Sequence, residues 1–130
     1  MRKDAQRDTF TPASTRLLRD QAAVDCSLPG ATRDLVVDGV RGWLYPIDSE
    51  IGGDHFVLFV YFDGSAYQVK VVEPDVGGHD PHACHLFPDG RICLGEHAGG
   101  GMPRLADAYS RSVVWCTGFS VYLRTSKFPF

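Results

Sequence analysis

The chain has 130 residues, 44% hydrophobic, 22% charged and 12% aromatic, the proportions of one soluble globular domain. It carries 13 Lys and Arg against 16 Asp and Glu, a formal charge of −3, and so lacks the basic field behind most non-specific nucleic-acid binding. Its longest apolar run, Phe56 to Phe62, spans seven residues against the roughly 20 of a membrane helix, and the charged start MRKDAQRDTF has no secretory apolar core. A single cytoplasmic domain over 1–130 is expected, with neither nucleic acid nor membrane as partner. The four cysteines, Cys26, Cys84, Cys93 and Cys116, form no CxxC pair and are expected as free thiols.

The first predicted element is an amphipathic helix from about Thr11 to Asp25, with Leu17, Leu18, Ala22 and Val24 apolar and Arg16, Arg19, Asp20 and Gln21 polar. Thr11 supplies the cap, Pro12 the first helical position, and the helix stops near Leu28-Pro29-Gly30. From Asp34 to Pro74 three runs read as antiparallel strands: LVVDGVRGWLYPI, HFVLFVYF and AYQVKVVEP, a meander of three or four strands. Asp63-Gly64 marks a hairpin between the last two. Alternation of Tyr67, Val69 and Val71 with Gln68 and Lys70 predicts one wet face.

Glu73 to Met102 is irregular and rich in Gly, Pro, His and Asp, a length that inside a compact domain points to function. About Pro103 to Thr125 reads as a helix with Leu105, Ala108, Tyr109, Cys116, Phe119 and Leu123 on one face, widened by Val113, Trp115, Val121 and Tyr122. Trp43 and Trp115 read as core anchors, and Cys26 and Cys116 as packing residues. Helix, meander, loop and helix together give an α+β fold with helices on one antiparallel sheet.

The chemistry is expected in the loop, where His79, His82, His85, Cys84 and Cys93 crowd between Glu73 and Glu96. In one reading Cys93 is a nucleophile after the turn Pro88-Asp89-Gly90-Arg91. Burial of Ile92 and Leu94 then leaves the thiol facing out from a fixed backbone. His85 and His82 would supply an oxyanion donor or a base, and Arg91 would favour thiolate. The second reading is zinc held by some of His79, His82, Cys84, His85, Cys93 and His97, although no zinc-knuckle spacing is present. The third is an inert core cysteine.

The string PHACHLFPDGRICLGE, Pro81 to Glu96, resembles the active-site segment of ubiquitin-conjugating enzymes. In that family a His-Pro-Asn motif precedes an Asn/Asp-Gly turn and an Ile-Cys-Leu step with the catalytic cysteine at its centre. Pro88-Asp89-Gly90-Arg91-Ile92-Cys93-Leu94 matches the turn and cysteine, while Ala83, Cys84 and His85 stand at His, Pro and Asn, so His85 replaces the Asn. The likeness covers roughly residues 8–125 in element order, including Pro74 near the end of the last strand. The chain is shorter than eukaryotic members, whose final helices it is expected to lack.

The resemblance implies a compact bacterial conjugating-type protein of the kind found in antiviral defence operons beside an activating enzyme, a ubiquitin-like protein and a metal-dependent deconjugating peptidase. It implies the ubiquitin-conjugating fold and a Cys93 thioester that accepts the modifier from the activating enzyme and yields it to an amine, usually lysine, without cofactor or metal. In those terms His85 serves the oxyanion, with His82 as the second choice, and Glu96 positions or deprotonates the lysine. The plain alternative for His82 and Glu96 is a solvated loop side chain. The first helix would dock the activating enzyme. Ala98-Gly99-Gly100-Gly101 reads as a gate or a tight connection, and Cys84 as a resolving or a structural thiol. The alternatives are a non-catalytic binder of ubiquitin-like proteins on the same fold, and a zinc- or thiol-dependent module.

Overall fold

The computed structural model describes residues 12–95 and 98–130. Helix α1, Pro12–Ser27, begins at the expected proline; its proposed cap, Thr11, lies outside the described residues. Its buried stripe differs from the expected one. Asp20 and Val24 are buried and Leu17 and Ala23 partly so, whereas Leu18 and Ala22 face solvent. The inward Asp20 carboxylate accepts the Tyr67 hydroxyl at 2.7 and 2.9 Å and pairs with Arg16 at 2.9 Å. A buried charge is tolerated when its lone pairs are satisfied in this way.

Four strands follow in a meander of order β1-β2-β3-β4: β1 Arg33–Val37, β2 Val40–Asp48, β3 His55–Phe62 and β4 Tyr67–Glu73. The run read as one strand from Leu35 to Ile47 is two, because Asp38 and Gly39 take φ of 51° and 81° and fold Val37 back onto Val40. Positive φ at both central residues is the tight hairpin turn that an Asp-Gly pair favours. The β3–β4 turn is longer: Asp63 accepts the N–H groups of Ser65 and Ala66 at 2.8 Å each.

Trp43, Tyr45, Phe56, Leu58, Val60, Tyr67, Val69 and Val71 share the inner face of the sheet and are buried with residues of both helices. Helix α2, Leu105–Thr125, lies on this face: Trp115 packs edge-on to Phe56, and Ser112 bonds the Tyr45 hydroxyl at 2.7 Å. The expected α+β arrangement of helices on an antiparallel sheet is therefore present. Leu123, expected on the apolar face of α2, is exposed; the stripe continues through Tyr122, which packs against His79 and Phe119.

The outer face is not uniformly wet. Gln68, expected in solvent, is buried because the segment around Gly99 crosses it; its amide donates to Asp63 at 2.9 Å and to the Gly99 carbonyl at 3.3 Å. Phe59 is also buried on that face, stacked on Tyr61 beside Gly42, where a side chain would collide with its ring. Among the described residues no helix is long and apolar enough to cross a membrane.

Candidate functional site

The loop after β4 is irregular but pinned. The Phe87 N–H donates to the Arg91 carbonyl at 2.8 Å and the Gly90 N–H to the Phe87 carbonyl at 3.0 Å, closing the Asp-Gly turn with Gly90 at φ 89°. Asp89 bonds the Arg91 N–H at 3.1 Å and its guanidinium at 2.8 Å; although partial burial opposes it, these bonds hold the Asp89 carboxyl below its ordinary range. The same guanidinium lies 4.4 Å over the Phe87 ring and donates to the Gly99 carbonyl at 3.2 Å. Arg91, read as an activator of the thiol, thus has its fork committed to bracing the loop.

Beyond this turn the backbone is fixed residue by residue. The N–H groups of Ile92, Cys93 and Leu94 donate to the carbonyls of Val69 at 2.9 Å, His85 at 2.9 Å and Gly100 at 2.8 Å. Ile92 and Leu94 are buried and Cys93 between them is exposed, its Sγ 3.9 Å from the Gly95 carbonyl oxygen. That is the alternation expected for a presented thiol.

The facing arm of the loop carries the histidines. Cys84 is fully buried; burial pushes its thiol pKa up, and its carbonyl accepts the Trp115 indole N–H at 2.8 Å. This favours the structural reading of Cys84 over the resolving one, since a buried, protonated thiol is a poor nucleophile. Cys116 is likewise buried, its pKa pushed up to about 12. Cys26 is exposed near the end of α1 and is not the packing residue expected.

His85 adopts a left-handed backbone with φ 55°, its ring 4.8 Å from that of Phe128 and its Nε2 3.0 Å from the main-chain oxygen of Phe130. His82 is exposed, its N–H on the Asp80 carboxylate at 3.1 Å. His79 is held away from both in the aromatic cluster of Phe119 and Tyr122. Glu96, with His97, lies outside the described residues.

Two grooves meet at the thiol. One, about 510 Å³, is bounded by Cys93, His85, Arg111, Trp115, Phe128 and Phe130. The other, about 790 Å³, is bounded by Cys93, His85, His82, Asp80, Phe87 and Pro88. Cys93, His85 and His82 therefore line one groove. The glycine run packs beside Phe87 and Cys93 as a tight connection: Gly99 and Gly100 take φ of 67° and 78°, and a Cβ on Gly100 would sit 2.6 Å from the Phe87 ring and 3.7 Å from Cys93 Sγ. Among the described residues no three His, Cys, Asp or Glu side chains converge as metal ligands.

Sequence reasoning missed the wall made by the C-terminal aromatics. Its signal was a helix-interior glycine, Gly118, followed ten and twelve residues on by Phe128 and Phe130, whose rings a Cβ at Gly118 would meet at 2.5 and 2.9 Å. Comparison of the chain with protein-family models, curated proteins and solved structures finds no match.

Proposed function

We propose that the protein is a carrier of the ubiquitin-conjugating type, built on that fold. Cys93 accepts the C-terminal carboxyl of a ubiquitin-like protein from an activating enzyme by thioester exchange and then yields it to an amine, usually lysine. The observation supporting this most directly is the Cys93 thiol, exposed between two buried neighbours whose N–H groups are bonded to β4 and to Gly100. A nucleophile on such a backbone keeps its attack geometry without ordering cost at the moment of reaction.

Both steps pass through a tetrahedral oxyanion, where one preorganised donor is worth roughly 3–4 kcal/mol. His85 and His82 line the groove from which that donor, or the base for the amine, is drawn. The α1 helix, with exposed Leu18 beside Arg19, is the surface the reading assigns to the activating enzyme.

The test is a charging reaction with a bacterial ubiquitin-like protein and its activating enzyme, plus ATP, resolved on reducing and non-reducing gels. A thiol-sensitive adduct absent from Cys93→Ala is expected. No adduct in the presence of a competent activating enzyme would overturn the proposal and favour a non-catalytic binder, or a zinc module if the purified protein carries stoichiometric zinc.

A further inference from the structure

Helix α2 ends at Ser126, whose left-handed φ of 63° and N–H to the Tyr122 carbonyl turn the chain back. The Thr125 hydroxyl then holds the reversal, donating to the Lys127 carbonyl at 3.0 Å and accepting the Lys127 N–H at 3.2 Å. The returning segment lays Phe128 and Phe130 against α2 at Gly118. A glycine in a helix interior costs about 1 kcal/mol relative to alanine, and here its bare backbone is the seat for two rings. From that seat Phe128 reaches the His85 ring, and the main-chain oxygen of Phe130 meets His85 Nε2 at 3.0 Å.

That oxygen can only accept a hydrogen bond, so the proton in the contact belongs to Nε2. In the neutral imidazole the other nitrogen, Nδ1, is then an unprotonated base. A neutral His85 held this way has no second N–H to offer an oxyanion.

We propose that Phe128 and Phe130 are positioning residues that hold His85 as its Nε2–H tautomer, so that His85 acts at Cys93 as proton acceptor for the incoming amine rather than as oxyanion donor. The proposal rests on the thioester reading of Cys93. The amine nitrogen attacks the thioester carbonyl carbon and the C–N bond forms. The C–S bond breaks with its electron pair on Cys93 sulfur, and the amine proton passes to Nδ1 of His85. The resulting imidazolium keeps its Nε2–H on the Phe130 oxygen. The other titratable or charged groups lining the two grooves with His85 are Asp80 and His82 from its own loop, Cys93 from the facing arm and Arg111 from α2.

Two measurements test it. Long-range ¹H–¹⁵N correlation spectra of the unmodified protein, with His85 assigned by its loss in His85→Ala, should show the Nε2–H tautomer; a dominant Nδ1–H tautomer would overturn the assignment without any partner protein. Discharge of preloaded Cys93 to free lysine should slow on the order of tenfold or more in Phe128→Ala and in Gly118→Ala, a partial loss of the roughly 10²–10⁴-fold that a positioned base contributes, with loading nearly unchanged. Equal losses in loading and discharge, or none in discharge, would overturn the positioning role. If Cys93 never loads, the thioester reading fails and takes the base role with it, while the spectra still decide the tautomer.

Discussion

Cys93 donates its main-chain N–H to the carbonyl oxygen of His85 at 2.9 Å, so the two stretches of backbone that carry the exposed thiol and the imidazole are fixed to each other by a main-chain bond. Around that bond Leu86 bridges Ile92, and both are buried. Side-chain substitutions at either functional residue should therefore leave the frame intact.

Cys93→Ala and Cys93→Ser are expected to change stability by less than about 0.5 kcal/mol, as exposed substitutions do. Cys93→Ala should give no modifier adduct and Cys93→Ser a reductant-stable oxyester. Thermal melts beside non-reducing gels check both; a melt lowered by several degrees would show that the thiol packs.

Iodoacetamide applied to the native protein should label Cys93 and Cys26, which are exposed, and spare Cys84 and Cys116, whose thiol pKa values burial raises. Peptide mass spectrometry over a time course reads this directly. Labelling of Cys84 at a rate comparable to Cys93 would contradict its buried placement.

Tyr67→Phe removes the hydroxyl that donates to both oxygens of the buried Asp20. The expected cost is about 1.5–3 kcal/mol, the usual worth of a hydrogen bond to a charged group, seen as a lower urea midpoint with unchanged slope. A shift below about 0.5 kcal/mol would mean that Arg16 alone satisfies the carboxylate.

Gly100→Ala places a Cβ against Phe87 and near Cys93 Sγ at a φ of 78°. Backbone strain and overpacking together should cost about 1–3 kcal/mol. Charging of Cys93 should slow as the loop shifts; full activity with full stability would show that the connection yields without disturbing the thiol.

Asp63 carries a pH signature. Although partial burial opposes it, the N–H groups of Ala66 and Ser65 and the Gln68 amide hold its pKa down to about 2. A depressed carboxylate pKa contributes stability that is complete above the unfolded value near 4 and is lost as pH falls through the folded one. The melting temperature should therefore drop between pH 4 and about 2 by more in the unmodified protein than in Asp63→Asn, and parallel curves would exclude the contribution.

The parts of this molecule governed by local rules were legible in advance. An apolar run ending at the Asp63-Gly64 turn located β3, period-two alternation located β4, the proline located the start of α1, and the Asp-Gly turn with its apolar flanks presented Cys93 outward. What escaped depends on contacts between distant segments. Asp20 reads as a surface residue until Tyr67, 47 positions away, supplies its partner. Gln68 reads as solvated until Gly99 crosses it, and nothing in the string around His85 announces the chain that returns from Ser126 to meet it. The Asp38-Gly39 turn is a different case, since its pattern was present in the string and the apolar run on both sides concealed it.

The loop that carries Cys93 also lies along the outer side of β4, where Arg91 bridges Lys70 and Met102 bridges Tyr67 in antiparallel fashion. Without those bridges β4 would offer unpaired main-chain groups to any extended peptide, the ordinary route to edge-to-edge association. The remaining border strand, β1, is five residues long and opens with Arg33 and Asp34, a poor template for further pairing. Presenting the thiol and keeping the sheet from growing are thus the work of one piece of chain, and damage to the loop should surface as aggregation as well as lost chemistry.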